Sequence, residues 1–210
     1  MLLAAFLVLP LACRGKLVDT IQTAEAGLTP NQLKQVDLVE IADQSSPVGV
    51  PPDQLRRIKV LKYLGPKATL TVFPARIWGK EVDAACAAEL AEMISRAGLC
   101  KAAPAKQSPL LKAPLNDPNE MNMLLGMARE FSEYVKQNPP DADYALYADF
   151  LFTPDHWERG MVHFVLCDRR GEWVLVDMQN SDHPDYQSVK PASKEGCEKL
   201  LLKRLESWLR

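Results

Sequence analysis

A histidine and an aspartate lie on the two strands of a predicted hairpin, where they could transfer a proton together. The segment Val162–Asn180 contains the turn Asp168-Arg-Arg-Gly171, in which glycine takes the position that needs a positive φ. Counted outward from a bulge at Gly171, the predicted pairs are Asp168 with Glu172, Cys167 with Trp173 and His163 with Asp177. A carboxylate beside an imidazole orients a catalytic histidine. The same pair is also an ordinary cross-strand contact that only stabilises a hairpin.

A cysteine lies near the start of a predicted helix over residues 82–97. Its apolar positions recur at helical spacing and form one stripe: Val82, Cys86, Leu90, Met93 and Ala97. Gly98 follows as a typical C-terminal cap. A cysteine within such a stripe is typical of a buried core thiol.

The cysteine helix and the hairpin together resemble the site of transglutaminase-like cysteine hydrolases. The resemblance rests on three segments: Ala84-Ala85-Cys86 in a helix that ends at Gly98, His163, and Gly171-Glu-Trp-Val-Leu-Val-Asp177. It implies that Cys86 is the nucleophile, His163 the base and Asp177 the residue that orients the base. The implied reaction is acyl transfer or amide hydrolysis.

The N-terminal segment predicts export and a lipid anchor. Met1–Ala12 contains no charged and no polar side chain, and it runs into Cys13, which Arg14-Gly15-Lys16 follow. This run is shorter than the roughly 20 residues that span a bilayer, but it has the length of an export signal. A cysteine at its end resembles the lipobox of bacterial lipoproteins, which implies that Cys13 is lipidated. The alternatives are a signal cleaved without lipidation and a buried core segment.

The composition is that of an ordinary globular protein. Of the 210 residues, 47% are hydrophobic and 25% charged, and the net charge of −2 gives no basic excess for nucleic acid. Besides Cys13 there are four widely spaced cysteines, Cys86, Cys100, Cys167 and Cys197, without a C-x-x-C motif. They permit disulfides in an oxidising compartment, but we favour buried free thiols. We therefore predict no metal and no cofactor.

Two loops carry polar or aromatic side chains that could bind something. The segment 177–185 is rich in oxygen ligands, as a calcium loop is, but it lacks the spacing of one and is predicted to be a solvated turn. His156 and Trp157 lie in an exposed loop between two strands and could contribute to a partner surface. His156, His163 and His183 do not have the spacing of a metal site.

The order of the predicted elements indicates an α/β fold. Residues 1–13 are the export signal with its lipobox, 14–66 a leader or tether with a short helix at 30–41, and 67–210 the folded domain. The domain contains a strand at 68–73, the cysteine helix, a short strand near 100, a helix capped by Asp117, strands at 144–152, 161–167 and 172–178, and a helix capped by Ser193. These elements predict a layered sandwich in which about three amphipathic helices pack on a mixed sheet, largely antiparallel in its C-terminal half.

This order also resembles a class of envelope lipoprotein domains. It includes the curli-secretion lipoprotein, the N-terminal domain of the Tol translocation protein and lipoprotein activators of cell-wall synthases. The resemblance covers residues 67–210 and implies a domain without catalysis that binds an envelope protein or self-associates. We favour this interpretation over the hydrolase and expect a cell-envelope or periplasmic location, with attachment to a membrane through the lipid on Cys13.

Overall fold

One mixed sheet forms the centre of the computed structural model, which describes residues 27–41, 50–77, 81–112, 117–153 and 155–210. Within these ranges the strands are β1 (Thr69–Val72), β2 (Ala75–Ile77), β3 (Glu81–Asp83), β4 (Lys101–Pro104), β5 (Tyr144–Leu151), β6 (Met161–Asp168) and β7 (Trp173–Gln179). The helices are α1 (Pro30–Asp37), α2 (Pro52–Leu64), α3 (Ala84–Arg96), α4 (Glu120–Gln137), α5 (Pro184–Val189) and α6 (Lys194–Leu209). The predicted α/β class is confirmed.

The sheet is arranged around β5. β1 and β2 both run parallel to it, with Val72 opposite Leu146 and Arg76 opposite Asp149. The two strands are separated by a short non-strand segment at Pro74. β4 lies parallel to β1, and β3 lies antiparallel to β2. β5, β6 and β7 form an antiparallel meander. The antiparallel C-terminal half of the sheet is therefore confirmed.

Helices cover both faces of the sheet. On one face, here the α6 face, α2, α3 and α6 pack over a core that includes Ile58, Leu90, Leu146, Phe164 and Leu201. On the other, the α4 face, the apolar stripe of α4 packs against the alternate strand residues, among them Tyr147, Val165 and Cys167. The sheet is buried on both sides, so every residue of β5 is buried.

The folded domain begins before residue 67. We predicted residues 14–66 as a leader or tether, but α2 packs against β7 and α6 and buries Ile58 and Leu61 in the core. The mixture of apolar and basic residues in α2 hid this burial. The helix predicted over 30–41 ends at Asp37. Cys13 and the rest of the predicted export signal lie outside the described residues.

Caps set the ends of the long helices. Ser193 caps α6 as predicted, because its hydroxyl accepts a hydrogen bond from the Gly196 amide. The cap of α4 is Asn119 rather than the predicted Asp117, whose carboxylate instead accepts from the amide of Asn119. The cap of α3 is Asp83, so Val82 belongs to β3 rather than to the predicted helix. Among the described helices none is long and apolar enough to cross a membrane.

Candidate functional site

The hairpin of β6 and β7 has the predicted turn but a shifted register beyond it. Asp168 donates its amide to the carbonyl of Glu172, and Cys167 pairs with Trp173, as predicted. A bulge then adds one residue to β7, since Leu166 pairs with Leu175 and leaves Val174 without a partner in the register. The prediction that His163 opposes Asp177 is therefore wrong. His163 pairs with Met178, and Phe164 pairs with Asp177.

The bulge also places the two side chains on opposite faces of the sheet, because successive strand residues alternate. Asp177 lies on the α6 face with Leu175, whereas His163 lies on the α4 face with Val165 and Cys167. The sheet itself therefore separates the imidazole from the carboxylate. No proton can pass directly between them.

Asp177 binds two residues of α6. Its carboxylate accepts hydrogen bonds from Arg204 Nη2 at 2.9 Å and Nε at 3.2 Å, and from Trp208 Nε1 at 3.2 Å. Gln179 Nε2 donates to its other oxygen. Burial raises the pKa of the Asp177 carboxyl, and the Arg204 guanidinium opposes that rise. Its role is to attach α6 to the sheet rather than to orient a histidine.

His163 lies beside a buried ion pair on the α4 face. Its cross-strand partner on β5 is Asp149, whose carboxylate accepts from Arg76 Nε at 2.9 Å and Nη2 at 2.6 Å. His163 is fully buried, and neither ring nitrogen has a hydrogen-bond partner within the described ranges. Burial and the Arg76 charge lower the pKa of His163 to about 4. The imidazole is therefore neutral at physiological pH.

Cys86 is a core thiol in the first turn of α3. Asp83 caps this turn by accepting from the amides of Ala85 and Cys86. The Cys86 side chain is fully buried on the α6 face and lies close to Glu198. Burial raises the pKa of the thiol well above its usual value, so it stays protonated and unreactive.

The structure does not bring together Cys86, His163 and Asp177. Cys86 contacts Glu198, Asp177 contacts Arg204, and His163 lies on the other side of the sheet. A cysteine–histidine mechanism needs the nucleophile and the base within hydrogen-bond reach of each other. The arrangement implied by the resemblance to transglutaminase-like hydrolases is not present.

The described cysteines bear out the prediction of free thiols. All four are buried and unpaired: Cys86, Cys100, Cys167 and Cys197. Each lies in one of the two apolar cores. Here they act as small hydrophobic residues.

The two candidate loops are used in packing. In the oxygen-rich loop, Asp185 binds Lys203 at 2.8 Å and Arg204 at 3.3 Å. Among the described residues no group of three or more histidine, cysteine or acidic side chains is placed to hold a metal ion. In the other loop, the Trp157 ring packs near Tyr186 and lies 5.1 Å from Lys190 Nζ, so one side of the indole is covered.

Sequence reasoning missed the pair of Arg76 and Asp149. Each is a single charged residue within an otherwise apolar strand, at Pro-Ala-Arg-Ile and Tyr-Ala-Asp-Phe. A charge in such a segment indicates a buried partner of opposite charge, since an isolated buried charge is costly. That signal was present in the sequence, but it did not show which residues pair.

No protein-family model matches this chain, and the search of curated proteins found no match either. The chemistry and geometry of the chain itself therefore carry the functional argument.

Proposed function

We propose that this chain is an exported cell-envelope protein, anchored to a membrane through a lipid on Cys13, whose α/β domain acts by binding an envelope protein or a second copy of itself. The observation that carries the proposal is the uncharged run Met1–Ala12 that ends at Cys13. The order of elements in the α/β domain, which resembles that of envelope lipoprotein domains, supports it.

The chemistry of the described residues fits a binding role. The three residues of the alternative hydrolase lie apart from one another in the packed interior of the domain. Burial keeps Cys86 and His163 in their neutral forms. We therefore do not propose a cysteine hydrolase.

Two of the three outer strands of the sheet, β4 and β7, have backbone groups that are protected against pairing with another chain. At β4, the amide and carbonyl of Ala102 both bind Ser95 Oγ, at 2.9 and 3.3 Å, and Pro104 has no amide hydrogen. At β7, Arg57 Nε and Gln54 Nε2 of α2 donate to the carbonyls of Trp173 and Val174. At these two edges we expect a partner to bind through helices and loops rather than by adding a strand.

A groove beside the hairpin turn is open to such contacts. It lies between α2 and α4 and has a volume of about 500 Å³. Its lining includes Trp173 and side chains of both charges, among them Arg57, Arg129, Glu133 and Glu172. Polar side chains around an aromatic residue are common at protein interfaces. The groove is therefore the first surface to probe.

Labelling of the full chain in a bacterial host tests the anchor. We expect radioactive palmitate to label the wild-type chain, and we expect Cys13→Ser to lose both the label and its attachment to membranes. Cys86→Ser is the matched control and should keep both. Unchanged labelling or unchanged membrane attachment of Cys13→Ser contradicts the anchor.

Photo-crosslinking in the same cells tests binding. A photoreactive residue at Arg129 should yield one discrete adduct, either with another envelope protein or with a second tagged copy of this chain. The same residue at the exposed Lys34 is the control. Absence of any adduct at Arg129, together with a monomeric chain in mild detergent, contradicts the binding role.

A further inference from the structure

A buried carboxyl lies at the contact between α3 and α6. Glu198, in the second turn of α6, is only 3% exposed and lies against Cys86 and Glu89 of α3. Its Oε1 has no hydrogen-bond partner in the described part of the chain. A carboxylate in this position would be poorly solvated, which favours its protonated form.

The charges around Glu198 leave it without a cation of its own. Lys194 binds Glu89 at 2.6 Å and Asp83 at 3.4 Å, so one ammonium group already serves two carboxylates. The titratable groups from α3 and its cap are Asp83, Cys86, Glu89, Glu92 and Arg96. Those from α6 are Lys194, Glu195, Cys197 and Lys199. A groove of about 420 Å³ runs along this contact between the two helices and is bordered by residues of both.

The proton on Glu198 matters because of its neighbours. Its carboxyl lies close to the Glu89 carboxyl and the Cys86 thiol. Two carboxyl groups that lie close together can share a hydrogen bond only when one of them is protonated. Burial, followed by the neighbouring Glu89 charge, raises the pKa of Glu198 to about 7.

We propose that the contact between α3 and α6 is a pH-sensitive switch, closed while Glu198 holds a proton and open at Cys86 once that proton leaves for solvent. When Glu198 ionises beside Glu89, the two carboxylates repel each other and Glu198 gains free energy by reaching water. The first turns of α6 then move outward through the groove. The Cys86 thiol, which lies close to Glu198 in this contact, becomes accessible.

The direction of the pH dependence follows from the two forms. In the open form Glu198 is exposed and titrates near its ordinary pKa of 4.5, whereas in the closed form its pKa is about 7. The closed form is therefore most favoured below pH 4.5. Between these two values the open-to-closed ratio rises with pH, by up to about tenfold per pH unit, and above pH 7 it levels off.

Thiol labelling of the full chain measures the opening directly. A dipyridyl disulfide reacts with thiols in acid as well as at neutral pH, and mass spectrometry gives the rate at each cysteine. The Cys86 rate is divided by that of Cys167, a buried thiol on the α4 face. This ratio removes the intrinsic pH dependence of thiols and the contribution of global unfolding. We expect it to rise at least about tenfold between pH 5 and pH 7.

Two variants separate the switch from a general effect of pH. Glu198→Gln keeps the size of the side chain but has no proton to lose, so its labelling ratio should not change with pH. Glu195→Gln removes an exposed carboxylate from the same helix and should behave like the wild type. The proposal is overturned if Cys86 and Cys167 react in parallel across this range in the wild type, or if Glu198→Gln keeps the wild-type pH dependence.

Discussion

The two faces of the sheet each bury an aspartate–arginine pair, but they satisfy it differently. On the α6 face, Asp177 binds Arg204 twice and also accepts from Trp208 and Gln179. On the α4 face, Asp149 binds Arg76 twice, and the adjacent His163 has no partner for either ring nitrogen in the residues described. Both oxygens of Asp177 are bonded, although Gln179 Oε1 has no partner among the described residues. Beside Asp149, a whole imidazole lacks a partner in the same part of the chain.

The two pairs therefore differ in what they contribute to stability. The bonds of Asp177 reach two turns of α6, so they attach a helix to the sheet. The pair on the α4 face connects β2 to β5 within the sheet. The orphaned imidazole beside it costs about 1–3 kcal/mol of free energy, because a buried polar group has lost its water.

The largest effect is expected from removing one partner of a buried pair. Arg204→Met leaves Asp177 as an unpaired buried carboxylate, which should reduce the free energy of unfolding by about 3–5 kcal/mol. Arg76→Met should cost less, because the Arg76 side chain is 10% exposed and water can reach Asp149 more easily. Urea unfolding measures both, with the exposed Lys199→Met as control. A loss of less than about 1 kcal/mol in Arg204→Met would contradict the role of the network.

The next effect concerns pH and His163. Its pKa is 6.5 in the unfolded chain and about 4 when folded, so the unfolded state binds the proton first as pH falls. The contribution of the neutral imidazole is complete above pH 6.5 and is lost between pH 6.5 and pH 4, by roughly 3 kcal/mol in total. His163→Phe should remove this loss, and near pH 7 it should be neutral or stabilising by about 1 kcal/mol.

Unfolding free energies at about pH 4.5 and pH 7.5 measure this difference between the wild type and His163→Phe. The exposed His156→Phe is the control, because its ring is open to solvent. The contribution of Glu198 to the free energy of unfolding changes in the opposite direction over the same pH interval, because its pKa in the folded state is raised rather than lowered. The His163 effect is therefore best resolved in the Glu198→Gln background. An equal loss on acidification with and without His163 would show that its ring is not buried and neutral.

The smallest effect is expected at the edge of the sheet. Ser95→Ala frees the amide and carbonyl of Ala102 and should cost about 1 kcal/mol of unfolding free energy. It should also increase self-association through β4, which sedimentation velocity detects. Ser207→Ala, which removes a hydroxyl bound to the Lys203 carbonyl within α6, is the control. Equal association of the two variants would mean that Ser95 does not protect this edge.

Sequence patterns predicted the elements better than the site. Alternation, caps and turn residues located β1, β4, β5, β6, β7, α6 and the turn at Gly171, because these signals are local. The short strands β2 and β3 were not predicted, and Val82 of β3 was assigned to the helix. The bulge at Val174 has no such local signal, because Val174, Leu175 and Val176 are all apolar and their pattern does not mark an additional residue. One additional residue was enough to move Asp177 to the other face and to remove the predicted pair. Burial of α2 was missed for a related reason, because its contacts lie far away in sequence.

The NMR titration of the His163 ring tests the central claim, that the sheet separates His163 from Asp177. The full chain with labelled histidine is followed from about pH 8 to pH 3.5, with His156 as an internal reference. The structure predicts that His163 stays neutral until the pKa of about 4 is reached. A carboxylate hydrogen-bonded to the ring would instead favour the imidazolium and raise its pKa. A His163 pKa above 6.5 would contradict the account, because the structure places no such hydrogen bond at either ring nitrogen within the described residues.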